Sequence, residues 1–250
     1  MHAGCLARIF RFFGCTRTKM TKKVLLVSTS AGMMGENPTG LWISELAEPY
    51  AVFTKAGFDV TIASIACGAI PIDAGSMAEP YFGADAKAFM HDATAVGALH
   101  HVKVDASMAG QYDAVCLCGG HGTCVDFYGP SAAALKAVVE GTYAAGKIVG
   151  AVCHGPIGLI ECNAPNGTPL VAVHEVTCFS DVEEGQVGQT EAVKPFSGSN
   201  EQGLTGKGGK YSKGDPWTSH VVTAAGGKLI TGQNPQSTEE FAQAVVKALA

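Results

Sequence analysis

No stretch of this chain approaches the ~20 consecutive apolar residues that a membrane-spanning helix needs, which excludes a helical membrane protein. Charge is scarce as well. Asp, Glu, Lys and Arg supply 16% of the 250 residues, and the 17 basic side chains fall short of the 22 acidic ones, leaving a net charge of −5. Apart from the extreme N-terminus the basic residues are scattered. Without a cluster of cations to displace counterions, nucleic acid is a poor partner and a small molecule the expected one. The nine cysteines are odd in number, lack the spacing of a disulfide framework and follow no secretory signal, which points to reduced thiols in the cytoplasm. Internal repeats, low-complexity tracts and a mid-chain linker are missing too. What is abundant is apolar: 47% of residues, enough to bury one large core.

Residues 1–20 stand apart, with Arg8, Arg11, Arg17 and Lys19, no acid, and Leu6, Ile9, Phe10, Phe12 and Phe13 among them. They read as an extension outside the fold, with an organelle-targeting helix as the alternative, and leave residues 21–250 as the folded domain. Within it, short continuous apolar runs recur: Val24-Leu25-Leu26-Val27, Val60-Thr61-Ile62-Ala63, Ala114-Val115-Cys116-Leu117-Cys118, Ile148-Val149-Gly150-Ala151-Val152 and His220-Val221-Val222-Thr223-Ala224. Runs of this kind are strands buried on both faces. Helical patterns fall between them at 40–56, 131–145, 155–161 and 237–249. Such alternation predicts an α/β fold with a mostly parallel sheet and helices on both faces, whose ligands bind beyond the carboxyl ends of the strands. The Gly- and Lys-rich run 201–216 reads as an exposed loop, with a lid over the pocket as the other reading.

The run ending at Val152 gives way at once to Cys153-His154-Gly155-Pro156 and the apolar Ile157-Gly158-Leu159-Ile160. This strand-turn-helix elbow places the Cys153 sulfur at a helix mouth, where unpaired N–H groups are expected to favour thiolate over thiol. A second turn, Gly119-Gly120-His121-Gly122-Thr123, lets backbone approach a ligand closely, and amides there, with that of His154, suit a developing oxyanion. It lacks the signatures of a P-loop or a dinucleotide fingerprint. Cys116, Cys118, His121 and Cys124 match no zinc module, so no metal is expected. On the first helix Glu45 flanks the apolar stripe Trp42, Leu46, Pro49 and Phe53. Partial burial there predicts a raised pKa and a proton to give, unless the carboxyl simply bonds backbone or water at the core edge.

Taken in order, Thr39-Gly40-x4-Glu45, Gly120-His121-Gly122-Thr123, Ala151-Val152-Cys153-His154-Gly155-Pro156, Phe179-x-Asp181-Val182-x-Glu184 and Thr231-Gly232-Gln233-Asn234-Pro235 resemble the glutathione-independent glyoxalases. These enzymes, also called glyoxalase III or D-lactate dehydratases, belong to the PfpI-like superfamily with a class I glutamine-amidotransferase-like fold. The resemblance covers about Lys23 to Leu249. It implies a flavodoxin-like three-layer sandwich, commonly a homodimer, that converts the 2-oxoaldehydes methylglyoxal and glyoxal to D-lactate and glycolate with no cofactor, metal or glutathione. By position, Cys153 is the nucleophile, His154 the acid/base and Glu45 the acid near the sulfur; Gly120, His121 and Gly122 bind substrate. The triad acid falls on Glu184, with Asp181 and Glu183 as local competitors, Glu183 standing where the family pattern has a small residue. The same elbow also suits a redox-sensing holding chaperone, a protein deglycase, or a cysteine peptidase or amidase.

Overall fold

The computed structural model describes residues 21–250, so the expectations for residues 1–20 lie outside the described residues. The five apolar runs form strands β1 (Lys23–Ser28), β2 (Asp59–Ser64), β3 (Ala114–Leu117), β4 (Ile148–Val152) and β5 (Val221–Ala224), and Leu229–Gly232 adds a sixth, β6. They make one six-stranded sheet in the order β2-β1-β3-β4-β6-β5, parallel except for β5, which runs antiparallel to β6 at the edge.

Alternation along β1 and β3 divides the core between the two faces. Val24, Leu26 and Cys116 pack into one cluster, while Leu25, Val27, Val115 and Leu117 pack into the other. The first face is covered by α1 (Ser44–Lys55) and by the C-terminal helix Thr238–Leu249, through Leu46, Phe53, Phe241 and Val245. The second is covered by α2 (Ala133–Ala144), through Leu135, Val138 and Val139. These are the three layers of an α/β sandwich, as the alternation of elements requires. Between α2 and the C-terminal helix, Asp181–Gln186 forms α3 and Asn200–Gly206 forms α4; the C-terminal helix is α5. No helix among the described residues is long and apolar enough to cross a membrane.

Four local expectations change. The first helix begins at Ser44, because Leu41 is held in a parallel bridge to Ile72, its amide bonding the Pro71 carbonyl. The stretch after Cys153 is a 3₁₀ turn, Gly155–Leu159, too short and tight to act as an α-helix mouth. The run 201–216 is not a bare loop: Ser199 caps α4, Leu204 is buried, and Lys210–Tyr211 pairs with Glu175–Val176. Its Gly and Lys content masked a capped helix of one buried contact per turn. Finally, the Thr231-Gly232 motif is the end of a strand, β6, which fills the gap between β4 and the edge strand.

Candidate active site

The site lies beyond the carboxyl ends of β3, β4 and β6, where ligands of open α/β sheets are expected. Cys153 follows the last residue of β4 with φ of 59°, in the left-handed region that non-glycine residues avoid. Three hydrogen bonds hold it there: its N–H donates to the Gly232 carbonyl at 2.9 Å, and its carbonyl accepts from the Phe179 N–H at 2.9 Å and from Asn200 Nδ2 at 3.1 Å. Strain of this kind, about 1–3 kcal/mol, persists where the surroundings over-determine it, as at a nucleophile elbow. Gly155 completes the turn. A Cβ there would lie 2.3 Å from the Leu117 carbonyl oxygen, so only glycine lets the elbow nest against β3.

The left-handed residue also resolves a geometric difficulty. Neighbouring side chains on a regular helix diverge by ~100°. Here the Cys153 sulfur and its neighbour's ring turn together, with Sγ 3.4 Å from His154 Nδ1. His154 Nε2 is 2.8 Å from Glu184 Oε2, and His121 Nε2 is 2.7 Å from Glu184 Oε1, so one carboxylate serves two imidazoles whose ring centres are 4.1 Å apart. Burial pushes Glu184 up, but the charges and hydrogen bonds of His154 and His121 outweigh it and hold the carboxyl well below the usual carboxylate range. An ionised Glu184 accepts on both oxygens. Both Nε2 atoms therefore carry hydrogen, and His154 Nδ1 turns a lone pair toward the thiol.

The three neighbouring carboxylates of the α3 region separate cleanly. Asp181 accepts from Ser199 and Gln202, tying α3 to α4. Glu183 closes the capping box with Ser180 and accepts from the Trp217 N–H, Gln233 and Asn234. Only Glu184 reaches His154.

Glu45 approaches the sulfur from α1. It is fully buried, its Oε2 accepts the Gly119 N–H at 2.8 Å, and its Oε1 has no hydrogen-bond partner, with the Cys153 thiol beside the carboxyl. Burial raises its pKa to about 8, against the pull of the Cys153 thiol and the Gly119 N–H, so the group holds its proton at neutral pH. The thiol differs from expectation. Burial, and then the nearby Glu45, push Cys153 well above the ordinary thiol value, with the Gly120 N–H opposing. No α-helix mouth offsets that desolvation, because the turn that follows is 3₁₀ and the residue is only 3% exposed. A resting thiol beside a basic nitrogen and a protonated acid replaces the free thiolate that the sequence suggested. Burial and the neighbouring His121 likewise lower His154, against the attraction of Glu184, so its imidazole is neutral and able to accept a proton.

Gly120 and His121 line the cavity, while Gly122 does not. Gly120 has φ of 100°, and a Cβ there would lie 2.3 Å from the Gly40 carbonyl, so the loop fits against the approach to α1 only as glycine. Gly122 packs behind, against Ala31 and Thr29, which removes it from the substrate contacts expected of it. The cavity walls were not legible in advance: Trp42, Tyr81, Phe179, Val187, Trp217 and Pro235 enclose about 140 Å³ above the sulfur. Phe179 and Pro235 belong to motifs, and Trp42 to a helix stripe, but nothing local marks the others. Nor did the sequence pair His121 with Glu184.

His121, His154 and Glu184 place three donor atoms within 4.8 Å of one another, the one such group among the described residues. Both carboxylate oxygens already accept imidazole protons, and an ion at Zn–N distances of ~2.0–2.1 Å would have to displace them and disarm His154. Cys116, Cys118 and Cys124 take no part in that group and are buried thiols.

The chain is similar along most of its length to several known proteins. The glutathione-independent glyoxalase HSP31 of Saccharomyces cerevisiae is 32% identical over 239 residues, covering 91% of this chain and 98% of its own length. The crystal structure of glyoxalase III from Candida albicans superposes with a TM-score of 0.81 at 31% identity, covering 91% of this chain and 97% of that one. Rapid Encystment Protein 24 KDa of Francisella tularensis gives a TM-score of 0.83 at 38% identity, over 92% of this chain and all of that one (100%). The DJ-1/PfpI family model matches residues 40–248, a span that includes Glu45, the Cys153 elbow and Glu184, and the chain therefore belongs to the DJ-1/PfpI family.

Proposed function

We propose that the protein is a glutathione-independent glyoxalase that converts methylglyoxal to D-lactate, and glyoxal to glycolate, through a covalent adduct on Cys153. One observation carries the reading: the sulfur is flanked by a basic nitrogen, His154 Nδ1 at 3.4 Å, and by a carboxylic acid that keeps its proton near neutrality, Glu45. An internal redox conversion of a 2-oxoaldehyde needs both partners, because protons must leave one carbon and arrive at its neighbour.

The steps balance within the chain's own groups. As sulfur bonds the aldehyde carbon, the thiol proton passes to His154 and the Glu45 proton to the aldehyde oxygen, giving a hemithioacetal. The Glu45 carboxylate then takes the hydrogen from that carbon while His154 protonates the adjacent carbonyl oxygen, forming an enediol. Glu45 returns its proton to the second carbon as His154 removes the hydroxyl proton of the first, which leaves a thioester. Water attacks the thioester, losing a proton to Glu45, and the departing sulfur takes one from His154. The products are lactate and the original thiol. Amides of Gly120 and His154 suit the oxyanions that form on the first carbon.

Purified protein and Cys153→Ala should be incubated with methylglyoxal in the absence of glutathione, following aldehyde loss and D-lactate together. Cys153-dependent lactate supports the reading. Substantial lactate formation by Cys153→Ala overturns it, and aldehyde loss without lactate means adduct formation alone, the behaviour of a sensor or chaperone.

A further inference from the structure

The cavity has an uneven chemistry. Its floor holds Glu45, Cys153, His154 and His121, all engaged with one another or with the reacting atoms. Its walls are Trp42, Tyr81, Phe179, Val187, Trp217 and Pro235, with no charged side chain among them. The space they enclose, about 140 Å³, is close to the ~150 Å³ of an apolar cavity that takes a benzene ring, whereas the substituent of methylglyoxal is a single methyl group. Two carbonyl carbons over Cys153 occupy the floor and leave the aromatic part of the cavity to whatever substituent the substrate carries.

The wall is anchored, not merely present. Trp217 sits with φ of 60°, donates its N–H to Glu183 Oε1 at 2.9 Å, bonds Gln186 through its indole nitrogen, and meets Phe179 edge-on with ring centres 5.7 Å apart. Glu183 is itself fully buried and accepts from Ser180, Gln233 and Asn234 as well. A buried carboxylate is thus committed to joining the start of α3, the segment after β6 and the Trp217 turn into one wall. Across the cavity, Trp42 and Tyr81 form a second edge-on pair at 5.2 Å.

We propose that this cavity selects 2-oxoaldehydes whose substituent is apolar and longer than methyl, with Trp217 as the specificity-determining wall and Glu183 as the residue that positions it. The proposal rests on the glyoxalase reading above. Apolar substituents gain by leaving water for such walls. The several hydroxyl groups of a sugar-derived 2-oxoaldehyde would lose water there, where the Trp42 indole N–H is the one buried wall donor left without a partner.

The test is kcat/KM for glyoxal, methylglyoxal, ethylglyoxal, propylglyoxal, phenylglyoxal and the hydroxylated 3-deoxyglucosone, on the wild type, Trp217→Ala and Glu183→Gln. From methyl to propyl the wild type should gain about four-fold per methylene, the equivalent of ~0.8 kcal/mol, expressed in KM rather than kcat. Phenylglyoxal should be turned over, and 3-deoxyglucosone should fall below methylglyoxal. In both variants the propyl-to-methyl ratio should collapse toward unity, a change that general loss of folded protein cannot produce because it lowers every substrate alike. Trp217→Ala keeps the test alive should Glu183→Gln fail to fold. A wild-type series that is flat or falls with chain length, or variants that preserve its slope, would overturn the proposal while leaving the glyoxalase reading intact. Absence of Cys153-dependent turnover on every aldehyde would instead sink the glyoxalase reading, and this proposal with it.

Discussion

Replacing Glu45 by Gln should make the protein more stable in alkali while disabling it. The carboxyl is wholly buried, and its pKa rises from 4.5 to about 8, chiefly through desolvation. Between those two values the native state holds a proton that the unfolded chain has released, so the stability contributed by this group is full below about 4.5 and is lost as pH rises through about 8. The interval of about 3.5 units, at 1.36 kcal/mol each, sets an upper bound of about 5 kcal/mol on that loss. Gln fills the same space, still offers an oxygen to the Gly119 N–H, and does not titrate. Urea denaturation of both proteins from pH 4 to pH 9 therefore provides the assay. The curves should run together below about pH 5 and diverge above it, with the variant several kcal/mol more stable at pH 9. Glu48 and Asp126, raised by burial to about 7 and about 6, tilt both curves in the same direction and largely cancel in the difference. Parallel curves across the whole range would refute the claim that Glu45 keeps its proton near neutrality, and with it the proton donor in the proposed mechanism. Turnover of methylglyoxal by the same variant should fall about 10²–10⁴-fold, the usual contribution of a positioned acid.

Two further outcomes follow from the geometry. Glu184→Gln presents an amide NH₂ to one of two imidazoles that now donate to a carboxylate, which disturbs the tautomer that aims His154 Nδ1 at the thiol; kcat should fall by about 10³–10⁴, as when a triad carboxylate is replaced by its amide, and a loss under ten-fold would contradict the tautomer assignment. Gly155→Ala forces a methyl to within 2.3 Å of the Leu117 carbonyl, so the elbow must move; a loss of about 1–3 kcal/mol in urea denaturation, together with reduced turnover, is expected, and an unchanged protein would show that the turn has room.

The sequence by itself determined the layer architecture and the chemistry of the floor. Continuous apolar runs admit few structures other than buried parallel strands, and a Cys-His-Gly-Pro break after one of them can only be a tight turn at a strand's carboxyl end. Glu45 was legible for the same reason: a carboxylate flanking an apolar helical stripe is carried toward the core. Tertiary structure decided what local pattern cannot hold. Which of Asp181, Glu183 and Glu184 faces His154 depends on how α3 meets α4, β6 and the Trp217 turn, contacts 18 to 51 residues apart in the chain. The thiol's protonation lies beyond local pattern as well: strand-turn adjacency implies a helix mouth, whereas burial, set by everything packed around Cys153, fixes its charge. The cavity walls come from separate segments, and Tyr81, Val187 and Trp217 are unremarkable where they stand in the sequence. Periodicity encodes which face of an element is buried; only the folded chain determines what that face meets.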